Sequence, residues 1–175
     1  MPRQEIHLRP KKVSDLANDF LWRCDVQLAR FDARPPLCMP FCDFIGSYMQ
    51  EMDDGHDSYR FAIETEEGKH IGNCMFFNWD RQIGSVEVGI VIGDKGCWSQ
   101  GYGADALKAL LKHIFTTMQV RRVCLHTLNW NIRAQRSFAK CGFVFSEFVL
   151  RDGHSFMKME IPRGRWEPMY GEPKS

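Results

Sequence analysis

Hydrophobic and polar positions change period along this chain, and the changes mark its elements. Ile6 and Leu8 alternate with polar neighbours ahead of Pro10, the pattern of a first strand. Ser14 can cap a helix beginning near Asp15. After Pro40, the residues Phe41, Phe44, Ile45, Tyr48, Met49 and Met52 recur at helical spacing. They predict an amphipathic helix whose apolar stripe packs into the core, with some of it available to roof a cleft. Period two then takes over: Tyr59, Phe61 and Ile63 alternate, Glu66 to Lys69 turns, and Ile71 to Trp79 reads as the partner strand. Asp80 to Gly84 turns into Val86 to Ile92. Leu107, Leu110, Leu111, Ile114, Phe115 and Met118 share one face of a longer helix. Arg122 to Leu128 reads as a strand and Asn131 to Cys141 as a short helix stopped by a left-handed Gly142. Phe143 to Val149 and Ser155 to Ile161 close a hairpin around Arg151-Asp152-Gly153-His154.

This order predicts an α/β (α+β) domain with a mixed, largely antiparallel sheet of about seven strands flanked by about four helices. At 175 residues the chain suits a single domain, 1–175, with 162–175 a surface tail. A net charge of +1 exerts no pull on nucleic acid or an anionic membrane, and neither is expected as a partner. No apolar run approaches the roughly 20 residues of a membrane span. The opening Met1-Pro2-Arg3-Gln4-Glu5 lacks the apolar stretch of a signal peptide. The seven cysteines are odd in number and contain no CxxC, so reduced, buried thiols in a cytoplasmic protein are expected, without a metal site.

The chemistry concentrates between residues 90 and 143. An apolar strand ending Ile90-Val91-Ile92 leads through Trp98-Ser99-Gln100-Gly101-Tyr102-Gly103-Ala104 into the long helix. Gly101 and Gly103 let backbone N–H groups approach an anion closely, and the helix start adds its positive end. A pyrophosphate fits there without a lysine; an ordinary glycine-bearing loop explains the turn alone equally well. Gly101 to Ala106 also matches the dinucleotide fingerprint GxGxxA, but the loop from Gly93 to Gln100 is too long and no acid stands near His126.

With the second segment added, the chain resembles the GNAT superfamily of acyl-coenzyme A-dependent N-acyltransferases. The turn matches that family's pyrophosphate pattern, with Trp98 where Arg or Gln is usual, as in branches resembling ribosomal-protein N-terminal and polyamine acetyltransferases. The spacing Asn131, Ala134, Phe138, Lys140, Gly142-Phe143 resembles the family's next motif, and the element order from Ile6 to Ile161 agrees with the fold. The resemblance implies three roles. The backbone of Ile90, Val91 and Ile92 would pair with the pantetheine arm, and Ser99 to Ala104 would bind pyrophosphate. Asn131 would hydrogen-bond the pantetheine, with Ala134 and Phe138 lining its sulfur end; Asn131 also reads as a helix cap.

The activity so implied is transfer of an acetyl group from acetyl-coenzyme A to a primary amine. A primary amine has an ordinary pKa of about 10 and must shed a proton before it attacks. Glu87, the only acid in the apolar central strand, is the candidate base, directly or through water. Many relatives carry a tyrosine as general acid at the position of Phe138; Tyr102, Ser137 and Cys141 are the substitutes available here. His126 lies near the expected cleft and could also accept a proton, although a lone strand histidine is more often structural, while His113 and His154 read as surface residues. Lys140 reads as a complement to its helix's dipole in preference to a contact with the coenzyme's ribose phosphate. Glu51, Asp53, Asp54 and Asp57 form either a solvated loop or an acidic rim for a cationic acceptor. The expected acceptor is a small-molecule amine or a peptide N-terminus, and a homodimer is left open. A non-catalytic acyl-coenzyme A-binding or regulatory domain is the alternative, suggested by Phe138.

Overall fold

A computed structural model of the chain describes residues 5–53 and 59–171. One seven-stranded sheet runs β1 (Ile6–Pro10), β2 (Tyr59–Thr65), β3 (His70–Asp80), β4 (Ser85–Ile92), β5 (Arg122–Leu128), β7 (His154–Pro162), β6 (Val144–Arg151). All neighbouring pairs are antiparallel except β4 with β5. That one parallel pair needs a crossover, and the helix α4 (Tyr102–Thr117) supplies it. The alternation read from the sequence locates all seven strands.

Successive strand residues point to opposite faces, so each strand divides its side chains between two environments. One face carries Phe76, Val86, Val88, Val123, Leu125 and Ile161 against Leu107, Leu110, Leu111 and Ile114 of α4, all buried in one cluster. The other face carries Glu87, Cys124 and His126, the intervening residues of the same strands.

Six α-helices are present among the described residues, two more than expected. The N-terminal region holds α1 (Leu16–Cys24) and a separate α2 (Val26–Phe31). Ser14 caps neither: it lies inside a single turn of 3₁₀ helix, Val13–Asp15, in which the Asp15 carboxylate accepts from the Lys12 N–H at 2.7 Å, and α1 follows without a side-chain cap. Asp25 starts α2 by accepting from the N–H groups of Gln27 and Leu28, both at 3.0 Å. Asp25→Ala is expected to lower stability by about 1 kcal/mol, read as a shifted urea midpoint at constant slope.

The helix after Pro40, α3 (Phe41–Asp53), does not enter the core as its stripe suggested. Phe41 and Met49 are exposed, and the stripe meets α1 through Phe20, whose ring lies 5.1 Å from Phe41 and 5.5 Å from Phe44. Amphipathicity specified a face for the helix but not how completely that face would be covered. Of the acidic group, Asp54 and Asp57 lie outside the described residues, while Glu51 and Asp53 fall in the last turn of α3.

The expected surface tail is also corrected. After α5 (Ile132–Lys140) and the β6–β7 hairpin, residues Arg163–Tyr170 form α6. Its Trp166 is buried against Phe115, 4.9 Å between ring centres. Arg163 donates to the carbonyls of Phe115, Met118 and Val120, closing the end of α4. Two of the seven free cysteines depart from expectation as well, since Cys38 and Cys42 are exposed. His113, though exposed, lays its ring 5.4 Å from that of Phe61. No helix among the described residues is long and apolar enough to cross a membrane.

Candidate active site

The parallel pairing of β4 with β5 covers only Ser85–Arg122, Val86–Val123 and Glu87–Cys124. Both strands continue, β4 to Ile92 and β5 to Leu128, so the sheet forks beyond Glu87. Past the fork β4 remains paired to β3, as in Cys74–Ile90 and Gly72–Ile92, while its other edge meets no strand among the described residues. An unpaired strand edge is a row of hydrogen-bonding groups ready for an extended partner. The stretch Ile90, Val91, Ile92 singled out from the sequence is that edge.

At the open end of the fork stands the glycine turn. Gly101 is the residue before α4, with φ of 88°, and Ser99 is also left-handed with φ of 61°. The first helical bond runs from the Asp105 N–H to the Gly101 carbonyl at 3.1 Å. The N–H groups of Gly103 and Ala104 therefore face out of the helix end, where an anion is stabilised.

Trp98 faces away from that role. Its indole N–H donates to the Ile92 carbonyl at 2.7 Å, tying the loop to the end of β4 and taking up one acceptor of the strand edge. Its ring is covered by the Arg133 guanidinium at 4.4 Å, and Phe31 of α2 meets it edge-on at 5.8 Å. Phe31 also touches Trp130 on the β5 side, 5.5 Å away, so α2 braces both lips of the fork.

On α5, Asn131 caps the helix by accepting from the Ala134 N–H at 3.3 Å. That leaves its side-chain NH₂ to donate elsewhere. Ala134 and Phe138 follow one another on a single helical face. Phe138 packs against the core near Phe143, 6.4 Å between rings.

Glu87 is the last β4 residue paired with β5, which puts it in the crotch of the fork. Its Oε1 lies 2.6 Å from Nδ1 of His126, and its Oε2 accepts from Asn78 at 3.2 Å. Both side chains of the Glu87–His126 pair are largely buried. Burial by itself would push the Glu87 carboxyl up, but the hydrogen bonds from His126 and the Asn78 amide and the charge of Arg151 together hold it below the usual glutamate range. Nε2 of His126 meets the Arg151 guanidinium at 3.1 Å. A guanidinium only donates, so Nε2 must accept and the ring proton sits on Nδ1, directed at Glu87.

The adjacent thiols are set against catalysis by their surroundings. Burial first, then the charge of Glu87, pushes the Cys124 thiol up to about 11, leaving it protonated at neutral pH and a poor nucleophile. Cys141 is buried, donates to the Ala104 carbonyl at 3.5 Å, and is likewise pushed up by burial. Tyr102 is buried and Ser137 half-buried.

The structure thus joins Glu87 to His126, which the sequence offered as separate proton acceptors, His126 more readily as a structural histidine. It adds Asn78 and Arg151, which sequence reasoning missed. Only the register could reveal them: Asn78 sits in the irregular stretch of β3 between Phe77 and Asp80, and Arg151 ends β6, two strands from His126.

A forked sheet with a free strand edge, a glycine turn and helix N-terminus at its mouth and a carboxylate–imidazole pair at its base matches an acyl-coenzyme A transferase scaffold. The chain belongs to the acetyltransferase (GNAT) domain family, which matches residues 5–144. Over 100 residues it is 28% identical to a probable spermine N(1)-acetyltransferase of Bacillus subtilis subsp. natto, covering 54% of this chain and 66% of that protein's length. In fold it resembles the Vibrio cholerae spermidine N-acetyltransferase solved with CoA and spermine, with a TM-score of 0.82 at 18% identity over 92% of this chain and 97% of that one. It likewise resembles aminoglycoside acetyltransferase AAC(6')-Ib in complex with coenzyme A, with a TM-score of 0.80 at 17% identity over 94% and 98% of the two chains.

Proposed function

We propose that this protein is an N-acetyltransferase that acetylates a cationic small-molecule amine, with acetyl-coenzyme A as acyl donor. The observation that carries the reading is the fork opening immediately beyond Glu87, with the glycine turn at its mouth and the Glu87–His126 pair at its base. The relatives' printed activities on spermine, spermidine and aminoglycosides support an amine acceptor.

The residues present fit the coenzyme. Gly103 and Ala104 N–H groups would hold its pyrophosphate, the free edge of Ile90 to Ile92 its extended arm, and Asn131 that arm's amide groups. When bound, the coenzyme supplies the activated acyl group. Glu87 attracts the ammonium form of the acceptor, and the Glu87–His126 pair takes up the proton that the amine must lose. With Nδ1–H on Glu87, the imidazole accepts at Nε2, and the carboxylate stabilises the charge the ring acquires. No side chain has to supply a proton for a thiol of ordinary pKa about 8.5 to leave, consistent with phenylalanine at position 138. The reading also places the chain in a reducing, cytoplasmic setting, supported by the free, exposed Cys38 and Cys42.

The test is thiol release from acetyl-coenzyme A over a panel of polyamines, aminoglycosides and peptide N-termini, with the acetylated amine identified by mass. Turnover is expected with at least one polycationic amine and none with neutral amines. Coenzyme A at 100 times its Kd is expected to stabilise the fold by about 2.7 kcal/mol. Such stabilisation without turnover on any amine would leave a coenzyme-binding domain in place of an enzyme; no stabilisation would remove both readings.

A further inference from the structure

Arg151 has a place in the site that its position in the sequence does not account for. It is the last residue of β6 and opens the tight turn whose Asp152 and Gly153 are left-handed, with φ of 49° and 76°. The register places His126 opposite Lys158 and Lys158 opposite Glu147, so Arg151 stands four residues further along the hairpin from His126's row. At about 3.3 Å per strand residue that is roughly 13 Å. The 3.1 Å contact between its guanidinium and Nε2 of His126 brings the long arginine side chain back over this face of the sheet. Arg151 is exposed, and no carboxylate among the described residues lies in ion-pair range of it. The neighbouring charges on this face are spent on one another: Lys158 bridges Glu147 at 2.9 Å and Glu160 at 3.2 Å. The charge of Arg151 acts on Glu87, to which it is linked through the imidazole.

A cation is thus held where Glu87 and His126 would have to meet the acceptor's ammonium, and it blocks the one nitrogen of His126 able to take a proton. We infer that Arg151 is an internal stand-in for the acceptor's cationic group, displaced from His126 when the acceptor binds. This deepens the proposed amine acetylation by naming a specificity-determining residue. A neutral or weakly cationic molecule gains too little from Glu87 to dislodge a guanidinium hydrogen bond. A polyamine or other multiply charged amine carries charge enough to replace it, and its entry frees Nε2.

Arg151→Gln removes the competing charge at an exposed position. Spermine binding, measured by calorimetry on the coenzyme-free protein, is expected to tighten about tenfold, the equivalent of one charge-assisted hydrogen bond no longer broken on entry. In turnover, KM for spermine should fall by a similar factor, and discrimination against singly charged amines should narrow. Arg151→Lys, which restores the cation, should return binding toward the wild-type value. Weaker or unchanged spermine binding in both Arg151→Gln and Arg151→Ala, with native circular dichroism retained, would overturn the inference and make Arg151 a substrate contact or a bystander. Because calorimetry needs no acetyl transfer, a failure of the transferase reading would show only in the thiol-release assay.

Discussion

Replacing Glu87 with glutamine is expected to lower kcat by about 10²- to 10⁴-fold near neutral pH, the range observed for loss of a positioned acid–base group. Glutamine keeps the shape and can still bond Asn78 or His126, so the fold survives while the charge is lost. Three contributions go with that charge: attraction for the ammonium, orientation of the His126 proton on Nδ1, and stabilisation of the imidazole once protonated. The size of the deficit depends on pH in a definite direction. Glu87 is held below the usual glutamate range, so it is ionised throughout the neutral region and the wild-type enzyme keeps its contribution there. As the pH approaches the acceptor's own pKa of about 10, the amine arrives already deprotonated and the variant's deficit should narrow. The measurement is the ratio of wild-type to variant kcat/KM between neutral and alkaline pH. A ratio near one, or one that is flat with pH, removes Glu87 from proton transfer. His126→Gln should share the deficit, and its combination with Glu87→Gln should cost little more than either alone, because the two act as a unit.

The second large effect concerns stability and lies away from the fork. Asp15, 2% exposed, receives two hydrogen bonds from Arg9, both at 2.8 Å, and one from the Lys12 N–H. Arg9 also bonds Glu64 of β2. Beside them Lys11 bonds Asp19 at 2.7 Å and Asn73 of β3 at 2.6 Å, and Asn73 donates to Asp19 at 2.7 Å. The network fastens β1 and α1 onto β2 and β3. Asp15→Asn leaves Arg9 facing a neutral amide inside it, and breaking one partner of such a buried pair costs about 3–5 kcal/mol. For a domain of this size that lowers the melting temperature by roughly 10 °C. Burial alone would raise the Asp15 carboxyl, but the hydrogen bonds from Arg9 and Lys12 outweigh it and hold it well below the usual carboxylate range. The sign follows from the lowered value: the stabilisation is complete above the unfolded pKa of about 3.9 and is lost as the pH falls below it. Urea midpoints measured from pH 7 down to pH 3 should fall for the wild type and fall less steeply for Asp15→Asn. Equal midpoints at pH 7 would mean that the network contributes nothing net.

The strands were legible because burying one face imposes a period of two, and no other structure tolerates that pattern as well. The stripe of α4 was legible for the same reason at a period of 3.6. The short α2 was not legible, because six residues hold too little periodicity to register and its start depends on one side chain, Asp25, reaching two N–H groups. For α6 the obstacle was composition: Arg163, Gly164, Arg165 and Pro168 look like a tail, and only the folded surface around Phe115 gives Trp166 a place to pack. Asp15 escaped notice because a buried carboxylate and an exposed one are the same letter; its partner Arg9 makes the difference.

From the sequence alone came the strand and helix order, the glycine turn leading into α4, the motif around Asn131 and the carboxylate in the central strand. Each is specified locally, by spacing that a helix or strand turns directly into a face or a terminus. Tertiary structure alone decided where β4 and β5 part, that His126 and Asn78 close on Glu87, and that Arg151 reaches back from a hairpin end. Those contacts join residues 9 to 39 positions apart on different strands, and their distances depend on register and twist accumulated across the sheet, which no local pattern encodes.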